Sequence, residues 1–183
     1  MQRHRSWLGV VSAAIVSVSS AGHAALSGAS NAHVSFDASG PAGMKITGVT
    51  PELSVADDGS SLVIVVQLTN LSTGIGLRDQ HMKEKYLETG KYPSTTLVIP
   101  RSALKTPSTG DKIEADVQGT LQLHGQSRPV TVHYDAQVDG TSLMAHGAIR
   151  LNMNDYGISV PSYLGVTVKP DVDVHASFRV AGN

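Results

Sequence analysis

The chain has 183 residues, 40% of them hydrophobic and only 4% aromatic, with 14 basic and 15 acidic side chains, eight histidines and no cysteine. The lack of thiols excludes cysteine catalysis, thiolate metal sites, c-type haem attachment and disulfide staples. A near-neutral charge with no basic stripe argues against nucleic acid as a partner, and the length suffices for one domain around a single core.

At the start, Arg3 and Arg5 precede an apolar run from Trp7 to Val18, and Gly22 and Ala24 supply the small residues that a signal peptidase reads. Residues 1–24 are therefore expected to be a secretory signal peptide and residues 25–183 an exported domain bound for the periplasm. The run is shorter than the ~20 apolar residues of a membrane span and is diluted by serine. Without the leader, 12 basic side chains remain against 15 acidic ones, a net charge of −3.

Val34 with Phe36, Met44 with Ile46, and Leu62 to Leu68 predict short strands. Arg78 to Glu88 breaks that pattern: it is rich in helix formers, sets Met82, Tyr86 and Leu87 on one side, and ends at Gly90 and Pro93. Thr95 to Ile99 returns to strand. From Ile113 to Leu123 the odd positions are apolar or small, while Glu114, Asp116, Gln118, Thr120 and Gln122 interleave, which is the period of a half-buried strand. Past turn residues Gly125 to Arg128, the run Val130, Val132, Tyr134, Ala136 and Val138 continues the alternation. Asp139 to Ser142 marks a second hairpin. Leu143, Ala145, Gly147, Ile149, Leu151 and Met153 follow, and Val172 to Val180 closes the series.

About eight or nine antiparallel strands result. A lone short helix among long hairpins suits a sheet that curls shut with the helix as lid or plug, since closure hides the edges of an exported sheet. The expected fold is all-β, an antiparallel eight-stranded lipocalin-like β-barrel with one short helix.

Three segments, RDQHMKEKYLETGKYPSTTLVIPRS, GTLQLHGQSRPVTVHY and IRLNMNDYGIS, resemble in content and order the YceI-like family of exported lipocalin-like domains. The resemblance runs from about His33 to Phe178. It implies an elongated barrel whose apolar tunnel binds a polyisoprenoid chain, such as the tail of an isoprenoid quinone or an isoprenyl phosphate. It places Arg78, Asp79 and His81 at the family's helix start, Tyr92-Pro93 before its next strand, and Asp155 to Ile158 at its late turn. Family members usually have a longer first hairpin and an aromatic near Val49 and Thr50, so one tunnel wall is expected to be reshaped here.

The residues alone support a ligand less directly. A barrel of eight strands either fills itself with side chains or holds one slender ligand. Ala115, Gly119, Ala136, Ala145, Gly147 and Ala176 on the dry faces leave little to fill an axis. Two readings stay open, a tunnel or a flattened barrel in which Leu, Ile, Val and Met meet. The expected lining is Phe36, Ile64, Val66, Val117, Leu121, Val132, Tyr134, Ala145, Gly147, Ile149 and Phe178. Arg78, Asp79 and His81 either flank a mouth and meet a polar head, or serve locally, with Asp79 capping the helix and Arg78 or His81 satisfying a turn carbonyl.

If Val138 faces Leu143, His146 stands opposite Asp135 and diagonal to His133 on the wet face. A one-residue slip would dissolve that patch, and no metal is expected. His124 and His175 also fall on the wet face and are given no role. No Gly-x-Ser-x-Gly elbow occurs, and Gly74 and Gly76 lack the lysine and spacing of a phosphate loop, so no enzyme is expected. The reading is a periplasmic carrier or reservoir whose partner is a long-chain isoprenoid lipid. It needs no essential cofactor, touches the membrane surface transiently, and is a monomer or homodimer. The competing reading is a structural or stress-protective barrel with a filled core that binds a protein.

Overall fold

The computed structural model describes residues 28–163 and 166–181, so the leader assigned to residues 1–24 lies outside the described residues. Strands β1 (Ala29–Ser39), β2 (Lys45–Thr50), β3 (Leu53–Asp57) and β4 (Ser61–Gln67) precede helix α1 (Gly76–His81), which runs on into a π turn (Met82–Tyr86). Then follow β5 (Ser94–Pro100), β6 (Lys112–Leu123), β7 (Gln126–Asp139) and β8 (Ser142–Asn152). The 3-10 turn Met153–Tyr156, the two-residue strands β9 (Ser162–Tyr163) and β10 (Val166–Thr167), and β11 (Asp171–Ala181) complete the chain. No helix among the described residues is long and apolar enough to cross a membrane.

Nine strands form one antiparallel sheet in the order β2-β1-β11-β8-β7-β6-β5-β4-β3, and β9 pairs only with β10. The two ends of that order, β2 and β3, are consecutive in the chain and separated only by Pro51 and Glu52. The sheet therefore nearly closes on itself, and the Gly28 N–H donates to the Val55 carbonyl at 3.2 Å across the seam between β1 and β3. The expected count of eight strands is corrected to nine. Pro51 lacks an N–H and interrupts the ladder. The chain from 45 to 57 thus pairs first with β1 and then, as a separate strand, with β4.

The alternation along β6, β7, β8 and β11 is realised in register. Val117 lies opposite Val132, Tyr134 opposite Gly147, Gly147 opposite Ala176, and Val138 opposite Leu143. The β6–β7 turn is tighter than the expected Gly125 to Arg128: β6 ends at Leu123 and β7 begins at Gln126. His124 and Gly125 both take positive φ, 51° and 73°, the backbone of a two-residue hairpin whose twist matches its strands.

That turn, α1 and Met153–Tyr156 gather at one end of the barrel. His124 is not a wet-face strand residue but a half-buried clasp at this end. Its Nε2 meets the Glu88 carboxylate at 2.7 Å, its Nδ1 meets the Tyr156 carbonyl at 3.1 Å, and its ring lies 4.6 Å from that of Tyr92. Tyr156, Met153 and Ile158 are buried beneath it. At the opposite end the segment between β5 and β6 folds back over the opening. The Tyr134 hydroxyl accepts from the Lys105 N–H at 2.9 Å and donates to the Lys105 carbonyl at 3.0 Å.

Candidate functional site: the barrel interior

Residues that alternate inward on a closed sheet share one interior, but they do not share one degree of burial. On β6 and β7 the inward side chains Val117, Leu121, Val132, Tyr134 and Ala136 are all buried, at 4%, 4%, 5%, 8% and 4% exposure. On β8 and β11 the inward Ala145, Gly147, Ile149, Val174, Ala176 and Phe178 are only half-buried, although they pack against the same core. Phe36 on β1 and Ile64 and Val66 on β4 are half-buried as well. The ends of β11 are as buried as the β6–β7 wall, with Val172 at 8% and Val180 at 0% exposure, so the accessible apolar surface lies along the middle of β8 and β11 and beside it at Phe36, Ile64 and Val66.

The glycines make the same distinction by direct geometry. A Cβ at Gly119 on β6 would approach Leu97 Cδ1 to 3.0 Å and the Val98 carbonyl oxygen to 3.1 Å, so the room beside it is already filled. At Gly48 on β2 the Phe36 ring occupies the place, with Cε1 at 2.2 Å. A Cβ at Gly147 on β8 would meet only Val132 Cγ1, at 3.7 Å, which is ordinary contact. Of the small residues expected to leave space, Gly119 does not, and Gly147 does.

The structure brings together most of the sequence-predicted lining. Phe36 faces Val174, which faces Ile149; Ala145 lies between Ala136 and Phe178; Gly147 lies between Tyr134 and Ala176. Ile64 and Val66 pair with Leu97 and Thr95 on the far wall. Thr50 is fully buried, and its Oγ1 accepts the Glu52 N–H at 3.2 Å.

Arg78, Asp79 and His81 lie on α1, and the first two are turned to the loop before it. The N-cap position is Ile75 and carries no side-chain cap, so the expected Asp79 cap is corrected. The Asp79 carboxylate instead accepts from the Thr73 N–H at 2.7 Å, from the Thr73 hydroxyl and from the Ser72 hydroxyl at 2.7 Å. Partial desolvation pushes its pKa up, but those hydrogen bonds and nearby Lys83 outweigh it and hold the carboxyl below 3.8. Arg78 donates through Nε to the Thr73 hydroxyl at 2.7 Å and through Nη2 to the Thr73 carbonyl at 2.9 Å. His81 is exposed.

A charged pair at the opposite end has no counterpart in the sequence reading. Asp57 ends β3, and its side chain is 1% exposed, with Oδ2 3.4 Å from Arg101 Nε; that oxygen has no hydrogen bond. The Asp57 Oδ1 accepts the Gly59 N–H at 2.9 Å. The pair ties the β3–β4 turn to the start of the segment that folds over the opening. Asp57 and Arg101 lie far apart in the chain, and an aspartate before Asp58-Gly59 reads as a turn residue.

The profile of the YceI-like domain family matches residues 18–180. A curated relative, a UPF0312 protein of Pseudomonas savastanoi pv. phaseolicola, is 31% identical over 122 residues, 63% of this chain and 61% of the relative. Another, from Pseudomonas putida strain W619, is 32% identical over 130 residues, 66% and 64% of the two chains. The chain thus spans about three-fifths of the length of the curated relatives it matches. Among solved structures, a polyisoprenoid binding domain from Saccharophagus degradans, implicated in plant cell wall breakdown, superposes with a TM-score of 0.73. It has 20% identity, over 87% of this chain and 99% of that one. BcnA of Burkholderia cenocepacia gives 0.64 at 16% identity, over 81% and 95%. The YceI protein of Campylobacter jejuni gives 0.56 at 15%, over 75% and 85%. At these identities the likeness concerns the fold.

Proposed function

The chain belongs to the YceI-like domain family, and from that premise we propose that it is a non-catalytic carrier or reservoir for a long-chain isoprenoid lipid, an isoprenoid quinone or an isoprenyl phosphate. The observation that carries this reading is the accessible apolar inner face of β8 and β11, with Gly147 open onto it. The Saccharophagus neighbour, named as a polyisoprenoid binding domain, supports the ligand class. Each isoprenoid carbon buried there contributes on the order of 0.8 kcal/mol, so a long tail binds well with few polar contacts. We place the chain contacts on Phe36, Ile64, Val66, Ala145, Gly147, Ile149 and Phe178. Val117, Leu121, Val132 and Tyr134 form the wall behind them. In this reading Arg78 and Asp79 order the loop before α1 and do not meet the lipid head.

Export follows from the Arg-flanked leader, and N-terminal sequencing of periplasmic protein should begin at or near Ala25. Ile75 and Leu77, 53% and 64% exposed at the start of α1, are the apolar groups available for brief contact with a bilayer from which such a lipid is drawn. The filled-barrel alternative is favoured by one observation, the occupied space at Gly48 and Gly119. Lipid extraction and mass spectrometry of protein purified from native membranes separates the two. The carrier brings a long-chain isoprenoid with it; a protein that carries no lipid and takes up none when offered is a filled barrel.

A further inference from the structure

The outer face of β1, β11, β8 and β7 carries four histidines in two neighbouring cross-strand rows. In one row His33 faces Ser177, Ser177 faces His146, and His146 faces Asp135; in the next, Ser35, His175, Ala148 and His133 follow one another. These imidazoles rim a shallow depression of about 240 Å³ whose floor includes Ala148 and Ser177. The small residues between the histidines leave the space above them clear.

The four rings are not equivalent. His133 commits both nitrogens to acids, Nδ1 to Asp116 at 2.8 Å and Nε2 to Glu114 at 3.3 Å. Those bonds, led by the one to Asp116, favour its protonated form and raise its pKa, and a metal would have to break them to bind. His146 places Nδ1 on Asp135 Oδ2 at 3.2 Å and is 53% exposed. With Nδ1–H donated to the carboxylate, Nε2 carries the free lone pair, the carboxylate–imidazole arrangement found behind metal-bound histidines. His33 and His175 are exposed.

We propose that His33, His146 and His175 form a binding site for a divalent transition-metal ion of the zinc, copper and nickel class, on the face of the barrel away from the lipid. The three surround Ser177. His33 and His146 are its direct cross-strand neighbours on either side, and His175 lies two residues along the same strand and on the same face. His33 and His146 are thus two strand spacings apart, about 9–10 Å, a gap that opposed imidazoles bridge with metal–nitrogen bonds of about 2.0–2.1 Å. Among the described residues no three such side chains are gathered around a common point in their present rotamers. The backbone sets the three on one patch, and the site requires the exposed His33 and His175 rings to turn toward His146. Neutral imidazole selects zinc, copper or nickel over magnesium and calcium, which require oxygen cages. Three protein ligands leave a position for water.

The test titrates the purified full chain, free of any added histidine tag, with zinc and with copper(II) against a chromophoric chelator near neutral pH. The site predicts one ion per chain. His33→Ala, His146→Ala and His175→Ala should each weaken binding by more than roughly tenfold, and Asp135→Ala, which removes the support of His146, by roughly tenfold. His133→Ala should leave affinity within about threefold, since its ring is already committed to acids. Copper(II) electron paramagnetic resonance should show coupling to several imidazole nitrogens that disappears in His146→Ala. All these side chains are on the outer face, so circular dichroism should report an intact barrel in each variant. Absence of saturable binding, or binding retained by all three alanine variants, would overturn the site. A loss in His133→Ala equal to that in His175→Ala would overturn the choice of ligands.

Discussion

The middle of the β6–β7 wall and the middle of the β8–β11 wall follow the same alternation and face the same interior, yet only the first is fully buried. On β6, Gly119 is a place where Leu97 and Ile99 from β5 close in; on β8, Gly147 is a place where nothing but Val132 comes near. A small residue on an inward position therefore has two opposite meanings, close packing against a neighbouring strand or room left in the lumen. The difference is decided by the side chains of the adjacent strands and not by the residue. In the carrier proposed above, the first region would supply stability and the second surface for a ligand.

The hardest way to break this contrast is to charge the buried wall. Val132 is 5% exposed, and Val132→Asp forces an unpaired carboxylate into the core at a cost of at least about 3–5 kcal/mol, a large share of a typical domain's stability. Urea denaturation should find the variant largely unfolded. A variant as stable as the wild type would show that the inward face is wrongly assigned.

Arg101→Ala tests the end of the barrel where the interior carries its own charge. It leaves Asp57, 1% exposed at the side chain, without its counter-ion, and should cost about 3–5 kcal/mol by the same measurement. Replacing both members with similarly sized apolar groups should recover much of that loss.

A direct comparison of the walls comes from one substitution made twice. Gly119→Val must displace Leu97, Ile99 and a backbone carbonyl and should destabilise by about 1–3 kcal/mol. At Gly147 the added Cβ meets only an ordinary contact with Val132. Gly147→Val should be neutral or slightly stabilising, because a β-branched residue suits a strand and has fewer unfolded conformations. Equal losses at the two positions would erase the distinction.

The smallest effect lies outside both walls. His133 is raised above its ordinary pKa of 6.5 chiefly by its hydrogen bond to Asp116. That contribution to stability is present below the unfolded-state value and lost as pH rises through the raised folded one. Asp116→Asn should lower the His133 midpoint in a histidine NMR titration. An unchanged midpoint would remove Asp116 as its cause.

Period-two alternation made β6, β7, β8 and β11 readable because each is long, half-wet and bounded by turn residues. Strand β3 was hidden for the opposite reason. It is five residues between Pro51 and an Asp-Gly turn, with only Leu53 and Val55 pointing inward. The alternation also gave the inward lining, Phe36, Ala145, Gly147, Ile149 and Phe178 among it. It gave no means of ranking Gly119 against Gly147, since that depends on how Leu97 and Ile99 of the neighbouring β5 pack. The helix segment is legible by composition, but the sequence leaves Asp79 open between a mouth contact and a cap, and its partners, Ser72 and Thr73, lie in the preceding loop. The histidine patch depended on the β7–β8 register, and that register is the one the Asp139 to Ser142 turn implies.

The central claim is that the half-buried wall receives a long apolar chain. Ala145 sits on that wall between Ala136 and Phe178, and Ala145→Phe puts an aromatic ring where the chain would lie while keeping the interior apolar. The decisive measurement is a titration of wild type and Ala145→Phe with a long-chain isoprenoid quinone, with circular dichroism on both. Displacing even two buried methylene-sized groups, at about 0.8 kcal/mol each, corresponds to roughly a tenfold loss of affinity. Tight binding by the wild type and at least that loss in a correctly folded variant are expected. Undiminished binding by folded Ala145→Phe, or a wild type that binds no long apolar chain, would contradict the claim.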